Sequence, residues 1–343
     1  MRRAALALLV VACGGGHVTP ADGGRDASAS ADAASDAPVD AAPDAAGPPA
    51  MLALSGAIVP VHDPSIIATA AGYYLFATGQ GLRAFHSADL RAWVADGAVF
   101  AAKPAWITTT PASDPNNLWA PDISFFGGQY HLYYAASSFG SNASCIGHAT
   151  SPSLSPATWT DHGAVICSTA SDNWNALDPA AHVDGAGQAW LAFGSFWGGL
   201  KLIPLAADGS RAGSDFYALA TRANTAVEAP YLVSRGGWYY LFESVDYCCQ
   251  GVNSTYKVMV GRAPAITGPY VDAQGTALLA GGGTLVVQGD ARWKGPGHDA
   301  VLETATGDFH VYHSYDAQNG GAPTLRIGEL RWSADGWPLA AGP

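Results

Sequence analysis

Charge is scarce in this chain. Only 13% of its 343 residues are charged, and 16 Lys and Arg face 28 Asp and Glu, for a net charge of −12. A surface so poor in cations cannot neutralise a phosphate backbone, which argues against nucleic acid as a partner. No run of 18 consecutive apolar residues occurs, so no membrane-spanning helix is expected. Cysteine is limited to five residues, and no His/Cys spacing makes a zinc site. Helical periodicity is almost missing. What the chain has instead is 41 Gly, 22 Pro, 11 Trp, 14 Tyr and 11 Phe. Glycine turns between aromatic strands predict an all-β fold.

The first fifty residues stand apart. Met1-Arg2-Arg3 precedes a compact apolar run, Ala4 to Ala12, and Val10-Val11-Ala12-Cys13 fits the bacterial lipobox. Residues 1–12 read as a lipoprotein signal cut before Cys13, whose thiol would receive a diacylglycerol. The alternative is a plain secretory signal with an incidental cysteine, and either reading exports the chain. Lipid would anchor the protein to a membrane without spanning it. Residues 14–50 are nearly all Ala, Asp, Ser, Gly and Pro, with six Asp, one Arg and no aromatic residue. Such a segment cannot form a core and reads as an extended acidic tether. The folded domain is expected over residues 51–343. Gly14 carries no acidic retention signal, so in a two-membrane bacterium the outer membrane or cell surface is expected.

The four remaining cysteines can form disulfides outside the cytoplasm. Cys145 and Cys167 flank two strand-like segments, 145–150 and 164–166. An antiparallel pairing would set them opposite each other; two buried thiols are the alternative. Adjacent Cys248 and Cys249 could be a vicinal disulfide or free thiols.

From Ala53 onward the chain repeats. Aromatic strands begin at Gly72, Gly128, Gln188, Gly237 and Asp308. Each follows, by roughly ten residues, an acidic or proline-marked segment at Asp63-Pro64, Pro121-Asp122, Asp178-Pro179, Glu228-Ala-Pro230 or Pro296-Gly-His-Asp299. The spacings between these markers, 50 to 70 residues, suit four short strands per unit, and five units fill the chain. The pattern predicts a five-bladed β-propeller of four-stranded antiparallel blades. An N-terminal strand over 53–58 is expected to pair with the last blade. The first strand of each blade begins at the axis, so the markers should converge on one funnel.

Acids at these positions in so uncharged a chain point to chemistry. Asp63, Asp178 and Glu228 mark blades one, three and four. A pair of carboxyl groups suits glycoside hydrolysis: one protonates the leaving oxygen and the other activates water. A third can raise the acid's pKa and orient it. Any single Asp-Pro is more often a turn device, and Asp122 is read as structural.

The motifs His62-Asp-Pro-Ser65, Leu118-Trp-Ala-Pro-Asp-Ile123, Tyr133-Tyr-Ala-Ala-Ser-Ser-Phe-Gly-Ser-Asn142 and Asn175-Ala-Leu-Asp-Pro179 occur in order. Gly194-Ser-Phe-Trp-Gly-Gly199, Glu228-Ala-Pro-Tyr231, Cys248-Cys-Gln-Gly-Val-Asn-Ser-Thr-Tyr256 and Arg292-Trp-Lys-Gly-Pro-Gly-His298 follow. With this set the chain resembles glycoside hydrolase family 43, most closely its arabinan endo-1,5-α-L-arabinosidases, over nearly all of residues 55–338. The resemblance implies a five-bladed propeller and inversion at the anomeric carbon, with Asp63 as general base, Glu228 as general acid and Asp178 tuning and orienting that acid. Inversion needs base and acid about 6.5–9.5 Å apart. The resemblance also implies an axial cation, calcium or alternatively sodium, held mainly by waters and His298. Asp299 follows where Asn is expected, which places a further acid near that ion.

Candidate substrate contacts are Trp119, Phe196 and Trp197 as stacking rings, Asn175 and Ser195 as hydroxyl readers, and His62 and His313. The expected substrate is arabinan or arabino-oligosaccharides, and a monomer is expected. Two other readings fit the same residues. One is a different activity of the same family, exo-arabinofuranosidase or β-xylosidase. The other is a non-catalytic arabinan-binding surface lipoprotein, which would have no need of three acids.

Overall fold

The computed structural model describes residues 47–109 and 117–343. The signal segment, Cys13 and tether positions 14–46 lie outside the described residues. Five sheets follow one another along the chain. Blade one comprises Ser65–Thr69, Gly72–Ala77, Arg83–Ser87 and Ala92–Ala98. Blade two comprises Trp119–Phe126, Gln129–Ala136, Cys145–Ser151 and Thr160–Cys167, and blade three Ala180–Val183, Ala189–Phe193, Leu200–Pro204 and Tyr217–Ala220. Blade four is Val227–Arg235, Trp238–Val245, Lys257–Ala263 and Thr284–Gln288, and blade five Trp293–Thr304, Gly307–Asp316, Ala322–Trp332 and Pro338–Ala340. Each is an antiparallel meander, so the molecule is the five-bladed propeller that the repeat predicts. The aromatic segments form the second strand of every blade, where both faces are covered.

The packing closes the ring. Apolar clusters fill each gap between neighbouring blades. Phe76 and Tyr134 share the gap between blades one and two, Tyr133 and Leu191 that between two and three, and Leu202 and Leu241 that between three and four. Phe242 and Tyr312 lie between four and five. Leu75 and Val311 join blade five to blade one. The large rings are therefore mostly wall material between blades, where they contribute the bulk of apolar burial.

Ring closure meets the expectation for residues 53–58 in part. Ser55–Gly56 pairs in parallel with the outer strand of blade one, at Ala92 and Trp93. Blade five is bonded within the segment and on both sides of it: Ile58 O accepts the Leu325 N–H at 3.0 Å, Leu52 N–H donates to Ile327 O at 2.9 Å and Val61 N–H to Pro323 O at 3.0 Å. Gly47 and Ala50, counted with the tether in the sequence reading, are already hydrogen-bonded to Arg331 and Glu329. The segment's pairing follows its turn at Gly56, whose φ of 80° sets it against Trp93. That is a local backbone choice with no side-chain pattern to announce it.

The strands 145–151 and 160–167 pair with Cys145 directly opposite Cys167, and the two sulfurs are bonded, with Cα atoms 4.1 Å apart.

Candidate active site

A backbone device recurs at the axis. Asp63, Ala120, Asp178, Ala229 and His298 all have φ between 46° and 55°. Asp63 and Asp178 lie two residues before the first strand of their blades, Ala120 and Ala229 near the start of theirs, and His298 midway along its own. In blades two, four and five the ladder shifts register at these positions. Such bulges turn side chains away from the strand's alternation. Here they direct acids from distant parts of the chain into one space.

That space is a cavity of about 750 Å³. Asp63, Asp178 and Glu228 all line it, with His62, Trp119, Asn175, Ser195, Phe196, Trp197 and His298. The loop 194–199 presents two of these rings. Gly194 and Gly199 at its ends adopt φ of 135° and 73°, and a Cβ on Gly194 would come within 2.7 Å of the Gly199 carbonyl oxygen. Glycine is thus required where the loop closes on itself.

Asp63 is buried among histidines. Its Oδ1 lies 2.8 Å from His62 Nδ1, 3.2 Å from His298 Nδ1 and 3.7 Å from His313 Nδ1. Its Oδ2 accepts from Thr78 Oγ1 at 2.6 Å. Burial alone would raise its pKa, but His62 first and then His298 outweigh this and hold the carboxyl well below its ordinary range. His313 is not an ion-pair partner. The Asp63 backbone N–H donates to His313 Nδ1 at 3.2 Å, so that nitrogen is unprotonated, and burial keeps the ring neutral.

Glu228 and Asp178 are tuned the other way. Burial and then the Asp63 charge raise the Glu228 carboxyl, against a 2.7 Å hydrogen bond from Ser195 Oγ to its Oε2. Asp178 is pushed well above its ordinary value by burial, Glu228 and Asp63, although its Oδ2 accepts the Ala229 N–H at 3.1 Å. The cavity thus holds one carboxyl whose pKa is driven down and two whose pKa is driven up.

Two sequence assignments change. His313 does not line the cavity: it is fully buried behind His62, with the rings stacked at 4.0 Å, because it lies within the second strand of blade five. Ser195 lines the cavity, but its hydroxyl proton is committed to Glu228. Asn175 is free to read a hydroxyl, since its buried Oδ1 has no partner. The sequence reading missed Thr78, which anchors Asp63, and Phe139, an 84%-exposed ring at the cavity rim. Both lie in or beside segments already singled out, Thr78 directly following the strand Gly72–Ala77. It also missed Tyr315, two positions beyond His313.

The residues around His298 offer a cation mostly nitrogen. His62, Asp63 and His313 bring one ligand atom each within 4.8 Å of one another. Calcium takes six to eight oxygens, so these side chains fit it only if water fills most positions. The open cavity that His298 lines, with Asp63 Oδ1 3.2 Å from its Nδ1, is compatible with such a water-rich ion.

The wider comparison agrees with this architecture. The profile of glycosyl hydrolases family 43 matches residues 58–338. An extracellular endo-α-(1→5)-L-arabinanase of Bacillus subtilis is 44% identical over 284 residues, covering 81% of this chain and 87% of the relative. An extracellular exo-α-(1→5)-L-arabinofuranosidase of Cellvibrio japonicus is 39% identical over 307 residues, covering 84% of this chain and 88% of the relative. Among solved structures, a family 43 endo-arabinanase from Bacillus licheniformis superposes with a TM-score of 0.80 at 44% identity, over 84% of this chain and 99% of that one. With the family profile spanning the whole propeller and the acids gathered at its axis, this chain belongs to glycosyl hydrolases family 43.

Proposed function

We propose that the protein hydrolyses internal α-1,5-L-arabinofuranosyl bonds of arabinan with inversion. One observation carries the reading: three buried acids share a cavity, the pKa of Asp63 pushed down and those of Glu228 and Asp178 pushed up. Asp63 takes the proton of an attacking water, and Glu228 donates its own to the leaving oxygen. Asp178 lines the cavity and, through the bond its Oδ2 accepts from the Ala229 N–H at 3.1 Å, orients the strand that carries Glu228; ionisation of either acid raises the pKa of the other. Trp119, Phe196, Trp197 and Phe139 offer faces for sugar rings. A calcium ion, or sodium in its place, belongs to this reading; His298 and waters would hold it, and it would supply positive charge among the acids.

The exo-acting Cellvibrio relative makes end-wise cleavage the competing reading. Linear debranched arabinan separates them. Internal cleavage yields a ladder of oligosaccharides and a rapid fall in viscosity within the first per cent of bonds cut. A single short product released from the start would overturn the endo assignment.

The reading extends to location. Arabinan is too large to cross an envelope, so an internal-cutting enzyme must meet it outside. Residues 14–46, the part of the tether before the hydrogen-bonded Gly47, could reach on the order of 100 Å from a lipidated Cys13. Globomycin-sensitive processing and release by Cys13→Ser would support the anchor; a mature N-terminus beyond Cys13 on protein free in the medium would remove it.

A further inference from the structure

A chain of contacts runs behind Asp63 to a part of the cavity wall that the acid/base chemistry does not use. The Asp63 carboxylate faces His62 Nδ1 at 2.8 Å. The other ring nitrogen, His62 Nε2, lies 2.8 Å from the Tyr315 hydroxyl. That hydroxyl in turn accepts the backbone N–H of Cys249 at 2.8 Å. Cys249 is disulfide-bonded to Cys248, both line the cavity, and Cys249 Sγ lies 3.9 Å from His62 Nε2.

The contacts hold the ring at both nitrogens. The Tyr315 oxygen, which accepts from Cys249, lies 2.8 Å from His62 Nε2, and Asp63 Oδ1 lies 2.8 Å from Nδ1, which donates to the carboxylate. The ring has little freedom to do otherwise, because it stacks on His313 at 4.0 Å. The elements involved come from three blades: His62 precedes blade one, Tyr315 lies on the second strand of blade five, and Cys249 follows the second strand of blade four. No local segment supplies this alignment.

The disulfide holds the far end. Cys249 has φ of 66°, the left-handed region that costs a non-glycine residue about 1 kcal/mol or more. A bond between adjacent cysteines closes a small ring around the joining peptide and removes the torsional freedom by which that residue would relax. The loop is pinned again by Thr255 and Tyr256, whose N–H groups both reach Tyr247 O, at 2.9 and 3.2 Å.

We propose that Tyr315 and the Cys248–Cys249 disulfide are positioning residues for the reaction. Together they orient His62, and through it Asp63, toward the attacking water. This rests on the reading of Asp63 as the base.

The test uses kcat and KM on linear arabinan for Tyr315→Phe, for the double variant Cys248→Ala/Cys249→Ala, for their combination, and for Asp63→Asn. Tyr315→Phe keeps the ring and its packing, so it separates positioning from folding. The expected result is a kcat about tenfold lower for each of the first two with KM within about twofold, the scale of a slightly misplaced reacting group. Because both act through the same imidazole, the combined variant should fall no further than the worse of the two. A Tyr315→Phe enzyme with full kcat, or losses that multiply in the combination, would overturn the proposal. So would a raised KM at unchanged kcat in the cysteine variant, which would make the disulfide a sugar-binding platform. Asp63→Asn retaining activity would overturn the base assignment itself, whatever the other variants do.

Discussion

Ser195 Oγ lies 2.7 Å from Glu228 Oε2, and the same two residues form an antiparallel backbone bridge between blades three and four. The hydroxyl donates to the ionised carboxylate and so lowers a pKa that burial and Asp63 raise. Removing it lets that pKa rise further. A general acid works only while protonated, so activity is lost as pH climbs through its pKa. Ser195→Ala should therefore move the alkaline limb of the kcat profile to higher pH, with a modest change in kcat at its optimum. An alkaline limb that stays fixed or moves down would show that this bond does not tune the acid.

Replacing the acid itself separates its role from folding. Glu228→Gln keeps the shape and an acceptor for Ser195 while removing the proton. Turnover of arabinan should drop by about 10²–10⁴-fold, the usual contribution of a positioned acid. Aryl arabinofuranosides with good leaving groups need little protonation and should lose much less. Equal losses on both substrates would move the acid role to another residue.

How much of this was legible in the sequence depends on what recorded it. The blade count was legible because each repeat carries an aromatic second strand launched from a turn, and inter-blade packing requires that repetition. Asp63, Asp178 and Glu228 were legible because acids are rare here and fall at the markers. His313 was misread because its neighbours in the chain say nothing of its depth; within a strand covered on both faces, a histidine beside Tyr312 and Ser314 can face either the cavity or the wall. Tyr315 and Cys249 meet only through tertiary folding, 66 residues apart. The N-terminal closure against blade five was legible, but the pairing of Ser55–Gly56 with blade one escaped because it is set by a backbone turn at Gly56.

The axial cation is open to a direct measurement. An ion bound only by the folded state adds RT ln(1 + [L]/Kd) to stability. Chelator-treated protein should melt lower and recover with calcium, and His298→Ala should melt low and ignore calcium. A protein that holds no metal and melts identically with and without chelator would remove the ion from the reading.

The disulfide between Cys145 and Cys167 predicts stability without chemistry. It joins opposite residues on two strands of blade two and has a sequence separation of 22. A closed loop of that size stabilises by about 3 kcal/mol through restriction of the unfolded chain. Cys145→Ser/Cys167→Ser should lower the melting temperature by several degrees and leave kcat and KM on arabinan unchanged. A large loss of kcat at a temperature where the variant stays folded would contradict a purely structural role.

Asp122 ties three blades together at the axis. From the first strand of blade two, its Oδ1 accepts from Ser65 of blade one at 3.2 Å and its Oδ2 from the Ala181 N–H of blade three at 2.8 Å. Burial outweighs these bonds and raises the carboxyl to about 7. In the unfolded chain it would titrate near ~3.9. Between those two values the folded state holds the proton more tightly, so this group's contribution to stability is complete below about pH 4 and declines as pH rises to about 7. Above that it is level. Asp122→Asn cannot ionise and loses this slope, though it also loses one acceptor at every pH. The difference in melting temperature, variant minus wild type, should therefore grow by several degrees from pH 4.5 to pH 7.5. Comparing the two proteins cancels the titration of every other group that the substitution leaves undisturbed. A difference that stays constant across that range would mean the buried carboxyl is ionised throughout and that Ser65 and Ala181 alone are sufficient to hold its charge.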